Sequence, residues 1–169
     1  MIQKKVCMIG VFGAGKTSLV QQYVHSKFSE KYHSTVGVKI DRKSVEVAGE
    51  PVTLVLWDVA GKEADEDIPP SYVRGAHGVI FVVDLTRRVT WEELPALNRL
   101  VQGAAGAVPT VVALNKADIP EQWTIRADEE QALSAVWNTV HTSAKTGQGV
   151  EDVFQQIARA MLGPAGGAS

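Results

Sequence analysis

The apolar run Val6-Cys7-Met8-Ile9 passes directly into Gly10-Val11-Phe12-Gly13-Ala14-Gly15-Lys16-Thr17, and no other feature restricts the fold so tightly. A glycine loop of this spacing wraps a polyphosphate in backbone N–H groups when it is stretched between a buried strand and the first turn of a helix. The residues before it suit the strand, and Lys16 to His25 suit the helix. Gly13, Ala14 and Gly15 supply the cradle, Lys16 a point charge for the outer phosphates, and Thr17, followed by Ser18, a hydroxyl for Mg²⁺. A nucleoside triphosphate with Mg²⁺ is the expected ligand. Phe12 is the odd residue, a bulky aromatic where the loop must run close to the triphosphate.

The rest of the chain agrees with the sheet this loop requires. Val6 to Ile9, Val79 to Val83 and Val111 to Leu114 read as central strands of a parallel sheet covered on both faces. The runs 37–47 and 52–57, joined by Ala48-Gly49-Glu50-Pro51, leave no room for a helix and read as an antiparallel hairpin. Helices are expected at about 63–74, 91–104, 127–136 and 150–162, with a short strand at 139–141. Pro69 and Pro70 compromise the first of these, whereas Pro95 sits near a helix start, where it is tolerated. The expectation is α/β, with a six-stranded, mostly parallel sheet, one antiparallel strand and about five flanking helices in one domain, 1–162, before a Gly/Ala-rich tail, 163–169.

Composition narrows the function classes. With 169 residues, 45% of them hydrophobic, and a formal net charge of -2, the chain fits one compact domain and carries no basic excess for nucleic acid. Its apolar runs are far shorter than a bilayer span and no secretory signal begins it, so a cytoplasmic location is expected. Cys7 is the single cysteine, which excludes a disulfide framework or a cysteine-based zinc site and reads as inert core. Residue 2 is Ile and the tail Gly163 to Ser169 has no cysteine, so no lipid anchor is expected, and the chain is expected to be a monomer.

The base is read elsewhere. Asn115-Lys116-Ala117-Asp118 follows Val111 to Leu114 at the carboxyl end of the sheet, where ligands of open α/β folds bind. The Asp118 carboxylate matches the paired N1–H and exocyclic amine of guanine, a pattern adenine does not offer. Ser143-Ala144-Lys145 follows the last short strand, where a backbone N–H meets the guanine carbonyl oxygen. GTP and GDP are favoured over adenine nucleotides, and an adenine-specific kinase is disfavoured further because the chain has no evident acceptor-substrate domain.

With these motifs in order, the chain resembles the Ras-like small GTPases, and among them the Rab branch, from about Lys4 to Leu162. Ser34-Thr35-Val36-Gly37 resembles the first switch and Trp57-Asp58-Val59-Ala60-Gly61 the second, while 71–79 (Ser71-Tyr72-Val73-Arg74-Gly75-Ala76-His77-Gly78-Val79) is Rab-like. The resemblance implies that Lys16 binds the β and γ phosphates, that Thr17 and Thr35 ligate Mg²⁺ with Asp58 acting through water, and that Gly61 offers its N–H to the γ-phosphate. It also implies that Phe28 stacks on the guanine; packing is the alternative for that residue. Loss of the γ-phosphate would release 31–39 and 59–74, through which effectors, exchange factors and activating factors would engage. The acidic run of Glu63, Asp65, Glu66 and Asp67 reads first as a solvated face.

Two positions depart from the pattern. Where the family commonly has a water-orienting glutamine stands Lys62, whose ammonium donates but cannot accept, and Phe12 replaces a small residue. Slow intrinsic hydrolysis is therefore expected, with a nucleotide-dependent interaction module of negligible turnover as the alternative. Lys62 and His77 are the nearest substitutes by sequence, and the ordinary reading of His77 is a loop or core histidine.

Overall fold

The computed structural model describes residues 2–29, 37–61 and 68–163. Its strands are β1 (Ile2–Ile9), β2 (Val38–Val47), β3 (Glu50–Val59), β4 (Gly78–Asp84), β5 (Thr110–Asn115) and β6 (Asn138–His141). Its helices are α1 (Lys16–His25), α2 (Pro70–Val73), α3 (Arg88–Glu92), α4 (Leu94–Ala105), α5 (Ala127–Ser134) and α6 (Val150–Leu162). The strands form one sheet in the order β2-β3-β1-β4-β5-β6, in which β2 runs antiparallel to β3 and the other pairings are parallel. This is the expected α/β architecture, with five helices among the described residues when α3 and α4 are taken as one broken helix.

The central strands are apolar throughout because both of their faces are covered. Val6 and Met8 of β1, with Ile80 and Val82 of β4, join one core with Leu19 and Tyr23 of α1 and Phe154 and Ile157 of α6. Their alternates Cys7, Ile9, Phe81 and Val83 join the other core with Val73 of α2 and Leu94, Leu97 and Val101 of α4. Every residue of β4 is buried. Cys7 is buried as expected, and burial pushes its thiol pKa up to about 11, so it is inert at neutral pH.

Local differences from expectation have local causes. β1 begins at Ile2 because its polar start pairs through the backbone with β3, Ile2 opposite Val52. The hairpin turn is two residues, not four: Ala48 (φ 52) and Gly49 (φ 82) take the left-handed conformations that match the twist of the flanking strands. Pro51 is therefore inside β3, but the β1 pairing starts only at Val52, so its missing N–H leaves no central ladder bond unmade. The helix expected over 91–104 begins earlier and breaks at Glu93, with Pro95 in the first turn of α4. Pro70 likewise starts α2 rather than interrupting it; 63–67 of the expected 63–74 helix lie outside the described residues.

Candidate functional site

Parallel pairing brings the carboxyl ends of β1, β3, β4, β5 and β6 to one edge of the sheet, and the glycine loop, the Asp58 segment, 115–118 and 143–145 lie at the ends of β1, β3, β5 and β6. After β1 the glycine loop turns with Ala14 N–H donating to Val11 O at 3.0 Å, then enters α1 through Gly15 in the left-handed region (φ 105). A Cβ at Gly15 would collide with Asn115 Nδ2, so only glycine lets the loop lie against β5. Lys16 is buried and curls back over the loop, Nζ 3.4 Å from Gly10 O and 3.3 Å from Val11 O. Desolvation pulls its pKa down to about 8, the Asp58 charge opposing and the Arg87 charge adding to that effect.

β3 contributes the acid. Asp58 lies opposite Met8 of β1, is buried, and its Oδ2 accepts a hydrogen bond from Thr17 Oγ1 at 2.7 Å. Beyond it, a Cβ on Gly61 would strike Phe12 N and Cα and stand 2.9 Å from Lys16 Nζ, so the segment after β3 rests directly on the glycine loop. Among the described residues no group of three or more His, Cys, Asp and Glu side chains forms. Among the described residues a metal here could draw on the Thr17 hydroxyl and the Asp58 carboxylate, hard oxygen donors that fit Mg²⁺, which keeps several waters.

At the other end Asn115 is 3% exposed and ties two loops together: Nδ2 donates to Ala14 O at 3.3 Å, and Oδ1 accepts from Thr142 Oγ1 at 3.2 Å. Ala117 N–H donates to Thr142 O at 3.0 Å, and Ser143 Oγ accepts from Thr146 N–H at 3.1 Å, so 115–118 and 142–146 form one braced unit. Lys116 takes a left-handed conformation (φ 66), its Nζ 3.7 Å from Asp84 Oδ2 at the end of β4 and its carbonyl accepting from Trp123 Nε1 at 3.1 Å. A cavity of about 250 Å³ opens there, lined by Gly15, Ser18, Phe28, Asn115, Lys116, Asp118, Ile119, Ala144 and Lys145. Phe28, 39% exposed, faces this cavity rather than the core.

The structure thus gathers Gly13, Ala14, Gly15, Lys16, Thr17, Ser18, Phe28, Asp58, Gly61, Asn115, Lys116, Asp118, Ser143, Ala144 and Lys145 at one edge, while Thr35 and Lys62 lie outside the described residues. His77 is elsewhere: its N–H donates to Lys5 O at 2.8 Å and its Nδ1 accepts from Lys5 N–H at 2.8 Å, at the amino end of β4. Burial first, then Lys4 and Lys5, lower its pKa, so it is a neutral structural residue remote from the loop. A larger groove of about 1060 Å³ opens near the hairpin turn, lined among others by Val47, Ala48, Trp137, Arg159 and Leu162, and holds none of the motifs. Sequence reading missed Thr142, whose signal was its place beside Ser143, and Asp84, a lone acid ending an apolar run.

Comparison with known proteins finds relatives over most of the chain. The model of the Ras family matches residues 5–163. The chain is 34% identical over 161 residues to the Ras-related protein Rab-1 of Theileria parva, covering 93% of this chain and 73% of that protein. It is 36% identical over 163 residues to the Ras-related protein Rab-4B of Rattus norvegicus, covering 94% and 76%. With Ras-related protein Rab-19 of Rattus norvegicus it shares 33% identity over 163 residues, covering 94% and 75%.

Proposed function

The chain belongs to the Ras family and is a Rab-like small GTPase, and on that premise we propose that it is a switch with slow unaided hydrolysis, its single G domain spanning residues 1–162. Gly13 to Ser18 hold the phosphates, with Lys16 on the β and γ groups. Asp118 reads the guanine edge, Phe28 and Lys116 flank the ring, and 143–145 meet its carbonyl oxygen. The observation that carries this reading is Asn115, whose two hydrogen bonds join the glycine loop to 142–145 and so set a phosphate cradle and a base cavity at a fixed separation.

Thr17 and Thr35 would hold Mg²⁺, with Asp58 acting through water, and the ion supplies neutralisation of phosphate charge when bound. Thr17 Oγ1 and Asp58 Oδ2, 2.7 Å apart, converge on one point. Gly61 offers its N–H to the γ-phosphate, so the segments 31–39 and 59–74 respond to its presence and present that state to effectors and regulators. No helix among the described residues is long and apolar enough to cross a membrane, and a cytoplasmic monomer without affinity for nucleic acid remains the reading.

Competition binding with GTP, ATP and xanthosine triphosphate tests the base assignment. Asp118→Asn should weaken GTP binding on the order of 100-fold, the value of a paired hydrogen bond to a charged group, and raise preference for xanthosine triphosphate. Unchanged preference for GTP would remove Asp118 from the base site.

A further inference from the structure

Arg87 reaches the glycine loop, a contact that no sequence motif uses: its Nη1 donates to Phe12 O at 3.0 Å. Arg87 immediately precedes α3, and its backbone is fixed on both sides. Its N–H donates to Asp84 O at 2.9 Å, and its carbonyl accepts from Thr90 Oγ1 at 2.7 Å and from Thr90 N–H at 3.0 Å. Behind it, Thr86 N–H and Oγ1 donate to Asp84 Oδ1 at 2.9 and 2.6 Å, and Asp84 is itself fully buried. The side chain is exposed. An exposed guanidinium is thus carried on an anchored backbone to Phe12, a loop residue that Gly61 also meets.

We propose that Arg87 is a catalytic residue for GTP hydrolysis by this chain, its guanidinium moving from the Phe12 carbonyl onto oxygens of the γ-phosphate and the β–γ bridge. The move is favourable because phosphate oxygens carry full negative charge and can take the guanidinium fork in a bidentate pair, which a single neutral carbonyl cannot. The Arg87 charge also disfavours the Lys16 ammonium, and an anion between the two cations relieves that repulsion. In the reaction a water oxygen bonds to the γ phosphorus, the bond from phosphorus to the bridging oxygen breaks with its electron pair kept by GDP, and the water proton leaves with inorganic phosphate or to solvent. Charge builds on the bridging oxygen as that bond breaks, and Arg87 neutralises it. Because Lys62 offers no acceptor to orient the water, charge stabilisation carries a larger share of the rate. A cation supplied in cis does here what a partner's arginine does for other enzymes of this chemistry.

This inference rests on the proposed function, and single-turnover phosphate release from the full GTP-loaded chain separates the two. Arg87→Ala should slow release on the order of 100-fold, with GDP dissociation within about twofold of wild type, and Arg87→Lys should recover part of the rate. Aluminium fluoride with GDP, which imitates the transferring phosphoryl group, should form a complex with the wild type that Arg87→Ala does not form, a difference that a merely structural role would not make. Unchanged release or unchanged complex formation in Arg87→Ala overturns the proposal, as does a loss of GDP affinity equal to the loss of rate. A wild-type chain that fails to load GTP overturns the proposed function and this inference with it.

Discussion

The two ends of the site are built differently. At the base end every motif segment is bonded to another: Asn115 to the glycine loop and to Thr142, Ala117 to Thr142, and Thr146 to Ser143. At the phosphate end Thr17 is bonded to Asp58, but among the described residues Lys16 makes longer contacts, 3.3 and 3.4 Å, to carbonyls of its own loop, and Arg87 crosses exposed surface to reach Phe12. Recognition is stored in strand ends that a parallel sheet holds rigid. On the proposed function, chemistry is left to side chains that change partner when phosphate arrives, so residue choice there would tune rate without disturbing recognition.

The largest break between the ends should come from Lys16→Ala. It removes the one buried cation of the loop, and triphosphate affinity should fall on the order of 1,000-fold or more, read by equilibrium binding of a fluorescent GTP analogue, while the thermal transition of the nucleotide-free chain is retained or raised. The stability part has a clear sign, because a lysine whose pKa is depressed on folding disfavours the folded state while charged. At the base end the expected effect is smaller. Thr142→Val leaves Asn115 Oδ1 without its 3.2 Å donor and should speed GDP dissociation about tenfold, with hydrolysis of bound GTP unchanged.

A still smaller effect follows from the Lys16 pKa of about 8. The free chain carries Lys16 largely neutral at pH 9, whereas bound phosphate favours the ammonium, so binding takes up a proton there. Affinity should be level below pH 8 and decline above it, and calorimetry at pH 9 in buffers of different ionisation enthalpy should show net proton uptake. For the free chain the folded pKa lies below the unfolded one, so stability rises as pH passes upward from about 8.

Much of this was legible in the sequence because the phosphate loop demands strand, turn and helix, and because a parallel sheet writes its central strands as unbroken apolar runs. The hairpin was visible from lack of room for a helix, but its turn was not: Ala48 in a left-handed conformation is a choice that strand register imposes against the residue's own preference. The break at Glu93 was hidden because the apolar spacing continues across it. Motif residues at the site were found because their chemistry is carried by type and spacing. Thr142, Asp84 and Arg87 were not, since each acts through a partner far away in sequence, 27 residues for Thr142 and Asn115 and 75 for Arg87 and Phe12.

On the proposed function, this Rab-like site keeps guanine-nucleotide recognition while Phe12 and Lys62 hold back its chemistry. Single-turnover phosphate release from the GTP-loaded wild type and from the Phe12→Gly/Lys62→Gln variant tests it most directly. Release should be at least on the order of tenfold faster in the variant, with GDP affinity unchanged, as restored water positioning requires. A wild type that releases phosphate as fast as the variant would contradict it.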